Sequence, residues 1–219
     1  MSGSEDALDY YRDQLRVLVW SGFFNEDDLE LYCGDLTYDK DSATHVDVLR
    51  EYGNALMAKK RVAEAGWPAR TDWDKLDEVF AALETCDILS LHNVGYTTSD
   101  AHDDAWQTIR EASDREYRGF VYYHGQDVER AVDAMPLFLG YDSIAEGEKA
   151  KRELGEEIVA AVREGGFAVD WSGDPETRMS IVDLVWKKRA EWSDQGSESE
   201  TTEASDAKAS GFFRRLFGR

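Results

Sequence analysis

The sequence predicts an α+β protein: a mixed or antiparallel sheet of about five strands, all after residue 86, with covering helices and an N-terminal helical region. Three observations carry this expectation. Apolar residues recur at helical spacing through the first third of the chain. From residue 87 the period changes to short, bounded apolar runs. Helical patterns then alternate with those runs, as in a sheet covered by helices.

Leu8, Tyr11, Leu15 and Leu18 recur at three- and four-residue steps, and Leu49, Tyr52, Leu56 and Ala63 continue that period, with Gly22 and Gly66 as punctuation. Asn25 and Asp28 before Leu29, Leu31 and Tyr32 read as a capped short helix. Thr71 and Asp74 form a capping-box pattern ahead of Leu76, Val79, Phe80 and Leu83, one face of a helix. The strand candidates are residues 88–94, 119–124, 137–141, 167–171 and 179–186. A helical stretch near Ala101 to Ala112 separates the first two, and residues 126–133 read as a further helix. A helix carrying Leu154, Ile158, Ala161 and Val162 separates the third strand from the fourth and stops at Gly165 and Gly166. Gly, Asp and Pro between the last two runs predict an antiparallel hairpin.

Charge and cysteine content bound the function. The 25 Lys and Arg face 46 Asp and Glu, a formal charge of -21 over 219 residues. That is the wrong sign for a phosphate backbone, so no nucleic-acid partner is expected. Cys33 and Cys86 are too few for a disulfide framework or a four-thiolate metal site, and Cys86 at a helix–strand junction reads as a buried structural thiol. The N-terminus lacks the basic-then-apolar order of a signal peptide, and the longest apolar stretches fall well short of the ~20 residues that span a bilayer. A cytoplasmic location follows as an expectation. The hydrophobic pattern ends near Trp192, giving one acidic domain over 1–193, a disordered acidic linker over 194–210 and a basic amphipathic segment over 211–219.

Four strings occur in order along the chain: WPARTDWDKLDEVFAALE, LHNVGYTTSD, YRGFVYYHGQDVERAV and FAVDWSGDPETRMSI. In them the chain resembles an uncharacterised bacterial family catalogued as domain of unknown function 6891, over about residues 5 to 190. The resemblance implies no activity and no catalytic residue. The acidic linker and terminal GFFRRLFGR stand outside it.

The candidate site follows from the histidines. His92 and His124 end successive strand candidates, and strand ends are where sites gather. By alternation His92 shares a face with Ile88 and Ser90, and His124 with Phe120 and Tyr122, so neighbouring strands would let the two imidazoles approach. His92, Tyr96, Asp100, Tyr122, His124, Gln126 and Asp127 then line one pocket of apolar walls and polar tips, the composition of a small-ligand site. Each has a structural role to weigh against this: His92 as a strand-ending hydrogen-bonding residue, Asp127 as a carboxylate at a helix N-terminus, Ser99 or Asp100 as a helix cap.

Two readings emerge. The favoured one is a non-enzymatic binding or interaction protein, acting on an unknown protein partner or small ligand and requiring no cofactor. The alternative is a small metal-dependent hydrolase, with His92, His124, Asp100, His102 and Asp127 as the pool of ligands; no HExxH-type spacing supports it, so no metal is expected. In the terminal segment Phe212, Phe213, Leu216 and Phe217 separate from Arg214, Arg215 and Arg219 on a helix, which would suit weak peripheral contact at the inner membrane face or a partner's groove.

Overall fold

The computed structural model describes residues 2–36, 45–113 and 115–192, with the side chains of 2–5 excluded. The linker and the terminal amphipathic segment lie outside the described residues. By its internal contacts the chain divides into two compact units: Met1–Ala69 with Lys187–Arg219, and Arg70–Trp186.

The first unit is helical, as its 3.6-residue pattern requires. It holds α1 (Ser2–Ser21), α2 (Glu26–Leu36) and α3 (Val46–Ala65). Asn25 caps α2 as read from sequence, its Oδ1 accepting from the N–H groups of Asp27 (2.9 Å) and Asp28 (3.1 Å). Leu15, Leu18, Val19, Phe24, Leu29, Tyr32, Leu49, Leu56 and Met57 form the core. The segment 187–192 returns to close this unit. Gly22, at φ +80°, passes so near it that a Cβ would lie 2.4 Å from the Lys188 carbonyl. Among the described residues no helix is long and apolar enough to cross a membrane.

The second unit carries the sheet. Its order is α4 (Asp72–Thr85), β1 (Ile88–Leu91), α5 (Thr98–Glu111), β2 (Gly119–Tyr122), α6 (Gly125–Val132), β3 (Leu137–Ser143), α7 (Glu148–Glu164), β4 (Val169–Asp170) and β5 (Met179–Ile181). The five strands lie in the order β1-β2-β3-β5-β4. β1 runs parallel to β2, and every other pairing is antiparallel, including the expected β4–β5 hairpin. Thr71 and Asp74 form the reciprocal capping box at the start of α4. Four strands, β1, β2, β4 and β5, are shorter than the apolar runs suggest. The last run breaks at Asp183, whose Oδ1 accepts the Ala168 N–H at 3.0 Å, and the first bends away at Asn93, at φ +48°. Cys86 ends α4 and is exposed, correcting its reading as a buried thiol, because the chain turns there; Cys33 is the buried one.

Register assigns the faces. Leu89 stands opposite Phe120 and Leu91 opposite Tyr122, so these share one face, against which Ala101 and Ala105 of α5 pack. Ile88 stands opposite Gly119, and Val121 opposite Tyr141, on the face covered by α4 and α7.

Candidate functional site

The polar string after β1 is positioned by backbone bonds. Val94 donates to the Tyr123 carbonyl (3.1 Å), Gly125 to Gly95 (3.1 Å) and Gln126 to Tyr96 (3.2 Å), lacing the loop along the end of β2 into the first turn of α6. Gly95 is required there: its φ is +61°, and a Cβ would meet the Ala101 nitrogen at 2.7 Å. Thr97 caps α5 in a box with Asp100, so Asp100 acts from the third helical position and the cap lies one turn before it. The Asp127 carboxylate does the same for α6, accepting the His124 N–H at 3.1 Å. Two helices therefore begin side by side on the α5 face of the sheet.

Between them sits a cluster of charged and polar side chains. His124 is 3% exposed and Asp127 2%. His124 Nε2 lies 3.1 Å from Thr98 Oγ1 and 3.3 Å from Arg178 Nη1. Its Nδ1 lies 3.2 Å from Asp127 Oδ2, an ion-pair distance without hydrogen-bond alignment. Arg178 Nη2 donates to Asp127 Oδ2 and, at 3.0 Å, to the Phe138 carbonyl. A guanidinium can only donate, so Nε2 is the acceptor and the proton of the neutral ring resides on Nδ1, facing Asp127. Burial, aided by the Arg178 charge and opposed by Asp127, holds the His124 pKa below its ordinary value. Tyr122 lies over the cluster with its ring centroid 6.5 Å from that of His124, and burial raises its phenol pKa. Arg130 and Arg178 both pack on Phe138, at 5.1 and 5.6 Å from its ring centroid.

Of the seven pocket residues expected from sequence, the structure gathers His124, Asp127 and Tyr122, with Tyr96, Asp100 and Gln126 at the rim. Tyr96 OH donates to Glu129 Oε1 at 2.9 Å, and Gln126 is exposed. His92 does not join them. It packs on the α4 side, stacked on Phe80 at 4.5 Å, with Nδ1 2.8 Å from Tyr123 OH and Nε2 3.1 Å from Asp77. The pairing of β1 with β2 is offset by one from the expected alternation, which aligns His92 with Tyr123 and not with Tyr122. The metal-ligand pool therefore has no common centre, and among the described residues no three His, Cys, Asp or Glu side chains gather around one point.

The sequence reading leaves Thr98, Arg178, Arg130 and Phe138 outside the pocket. Thr98 has only its place beside the cap to mark it, and Arg178 sits in a stretch that reads as hairpin turn, two residues before Ser180. Ser180 is the β5 partner of Phe138, and that pairing brings Arg178 over Phe138.

A family model described as "Domain of unknown function (DUF6891)" matches residues 4–190. The chain belongs to this family. The His124–Asp127 pair lies within the matched region of this DUF6891 chain, as do Thr98 and Arg178. The comparisons with curated proteins and with solved structures return no match.

Proposed function

We propose that the second unit is a binding module for a small carbonyl-bearing ligand, a carboxylic acid or its uncharged derivative, held at the rim of the His124 cluster. The observation that supports this reading is Arg178: its side chain is 26% exposed, while the carboxylate and imidazole it bonds are almost wholly buried. Donors thus lead from the interior to the surface beside the exposed Thr98, Ser99 and Gln126 and the half-buried Tyr96. With His124 neutral, the charges of Arg178 and Asp127 cancel, so the ligand is recognised by hydrogen bonds to its oxygen and by the aromatic wall of Tyr96. The separation of His92 from His124 does not favour the metal-dependent hydrolase.

Titration calorimetry with short-chain carboxylates and their amides tests the reading. Saturable binding by the intact protein, weakened about tenfold by Thr98→Val through loss of one hydrogen bond of ~1.4 kcal/mol, is expected. No saturable heat with any member of either series overturns it. A tethering role for residues 211–219, in a cytoplasmic protein touching an anionic membrane, is a separate part of the proposal. It predicts that intact protein sediments with anionic vesicles and that a chain ending at Asp194 does not.

A further inference from the structure

We propose that Thr98, His124 and Asp127 form an acyl-transfer centre, in which Thr98 Oγ1 is the nucleophile and His124 Nε2 the general base, and that it hydrolyses small carboxylic esters. The inference rests on the binding reading and goes beyond it.

The geometry is that of an activated hydroxyl. Thr98 Oγ1 stands 3.1 Å from Nε2, within proton-transfer reach, and Asp127 Oδ2 stands 3.2 Å from the other ring nitrogen. The single lone pair of Nε2 is shared between the Thr98 hydroxyl at 3.1 Å and Arg178 Nη1 at 3.3 Å, and because a guanidinium can only donate, the ring proton lies on Nδ1, beside Asp127, the tautomer the reaction needs. Thr98 is exposed and opens the first turn of α5, so an ester can reach its hydroxyl and the helix dipole favours negative charge developing beside it. In the first step Thr98 Oγ1 bonds to the ester carbon, its proton passes to His124 Nε2, and the bond to the alcohol oxygen breaks as that oxygen takes the proton from His124. In the second, water attacks the acyl-threonine, giving its proton to Nε2, and the carboxylic acid leaves as Oγ1 recovers that proton. Asp127 is a positioning residue that acts by charge: its Oδ2 lies 3.2 Å from Nδ1 without hydrogen-bond alignment and favours the imidazolium as it forms. Arg178 has a cost as well as a use. Its charge beside the ring makes the imidazolium harder to form, so turnover is slow, but it keeps the base neutral, so activity persists below the ordinary histidine range.

The test is p-nitrophenyl acetate with the full chain carrying Cys86→Ser, which removes an exposed competing thiol. An acetyl group mapped to Thr98 by peptide mass spectrometry is expected. Release of p-nitrophenol should fall about 100-fold in Thr98→Val, the low end of what a positioned base supplies, and persist in Thr98→Ser. Asp127→Glu, which keeps the carboxylate, should shift the pH–rate profile without abolishing the adduct. An adduct on another residue, or equal release from Thr98→Val, overturns the centre. If carboxylates and amides still bind while no adduct forms, the acyl-transfer inference fails alone; if neither binding nor adduct is seen, both readings fail.

Discussion

Trp192 donates its indole N–H to Glu64 Oε2 at 2.7 Å, joining the returning segment of the first unit to α3 across 128 residues of sequence. The other oxygen of Glu64 accepts the Ala190 N–H at 2.9 Å and lies 3.6 Å from Lys60 Nζ. One carboxylate thus serves a returning strand of chain and a buried ammonium. Glu64→Ala is expected to lower stability by about 3 to 5 kcal/mol, the penalty for orphaning a buried charge. Urea unfolding at neutral pH should show the midpoint falling with an unchanged slope. A loss below about 1 kcal/mol, the size of one ordinary hydrogen bond, would show that the carboxylate is not the clamp.

Lys60 gives a pH signature of its own. Its side chain is fully buried, its Nζ donates to the Val19 carbonyl at 2.9 Å, and burial depresses its pKa to about 8 against the pull of Glu64. The folded chain therefore releases this proton before the unfolded chain does, and stability rises with pH between about 8 and 10. The full effect is roughly 3 kcal/mol, from 1.36 kcal/mol per pKa unit. Lys60→Met should flatten that rise. A variant that gains stability over this window as steeply as the parent would refute the assignment.

His124 acts at the other end of the scale. Its lowered pKa means that below pH 6.5 the unfolded chain takes up a proton the folded chain refuses, so stability falls as pH drops from 6.5 towards the folded value. Arg178, Asp127, Thr98 and Asp100 are the groups around it, and in His124→Gln this portion of the acid sensitivity should disappear. Thermal melts of parent and variant between pH 7.5 and about 5 compare the two slopes; parallel curves would rule out His124 as the source.

Gly140 tests the packing beneath the cluster. It is the β3 partner of Tyr122, and a Cβ there would lie 2.4 Å from the phenol ring. Gly140→Ala should cost about 1 to 3 kcal/mol by overpacking and displace Tyr122 from the Thr98 carbonyl, which its hydroxyl meets at 3.4 Å. Tyrosine fluorescence and chemical denaturation would report both effects. An alanine accepted without cost would mean that the ring has room to move.

Local signals in the sequence transmit well to the structure. The Asn25 cap, the Thr71–Asp74 box and the β4–β5 hairpin are each decided by residues a few positions apart, and each forms as read. What lies between elements is less legible. The pocket of His92 and His124 needs β1 and β2 to pair in one particular register, and a shift of a single residue sends an imidazole to the opposite face. The same limit hides Arg178: only the pairing of Phe138 with Ser180 brings it to Asp127, 51 residues away. The division into two units is similarly invisible, because residues 187–192 join α3 through Glu64, a contact that no periodicity encodes.

That return of the chain also fixes an order of events during synthesis. Ribosomes release the N-terminus first, so α1, α2 and α3 emerge early, yet Glu64 must wait for Ala190 and Trp192 until the whole sheet-bearing unit has been translated. The sheet-bearing unit has all its strands and helices between Arg70 and Trp186 and can condense as soon as that stretch clears the exit tunnel. The unit that is begun first is thus completed last. Until then Glu64 lacks the Ala190 and Trp192 N–H groups, and Lys60 and Arg61 lack the Trp192 ring, which lies 6.0 and 4.7 Å from them in the finished fold.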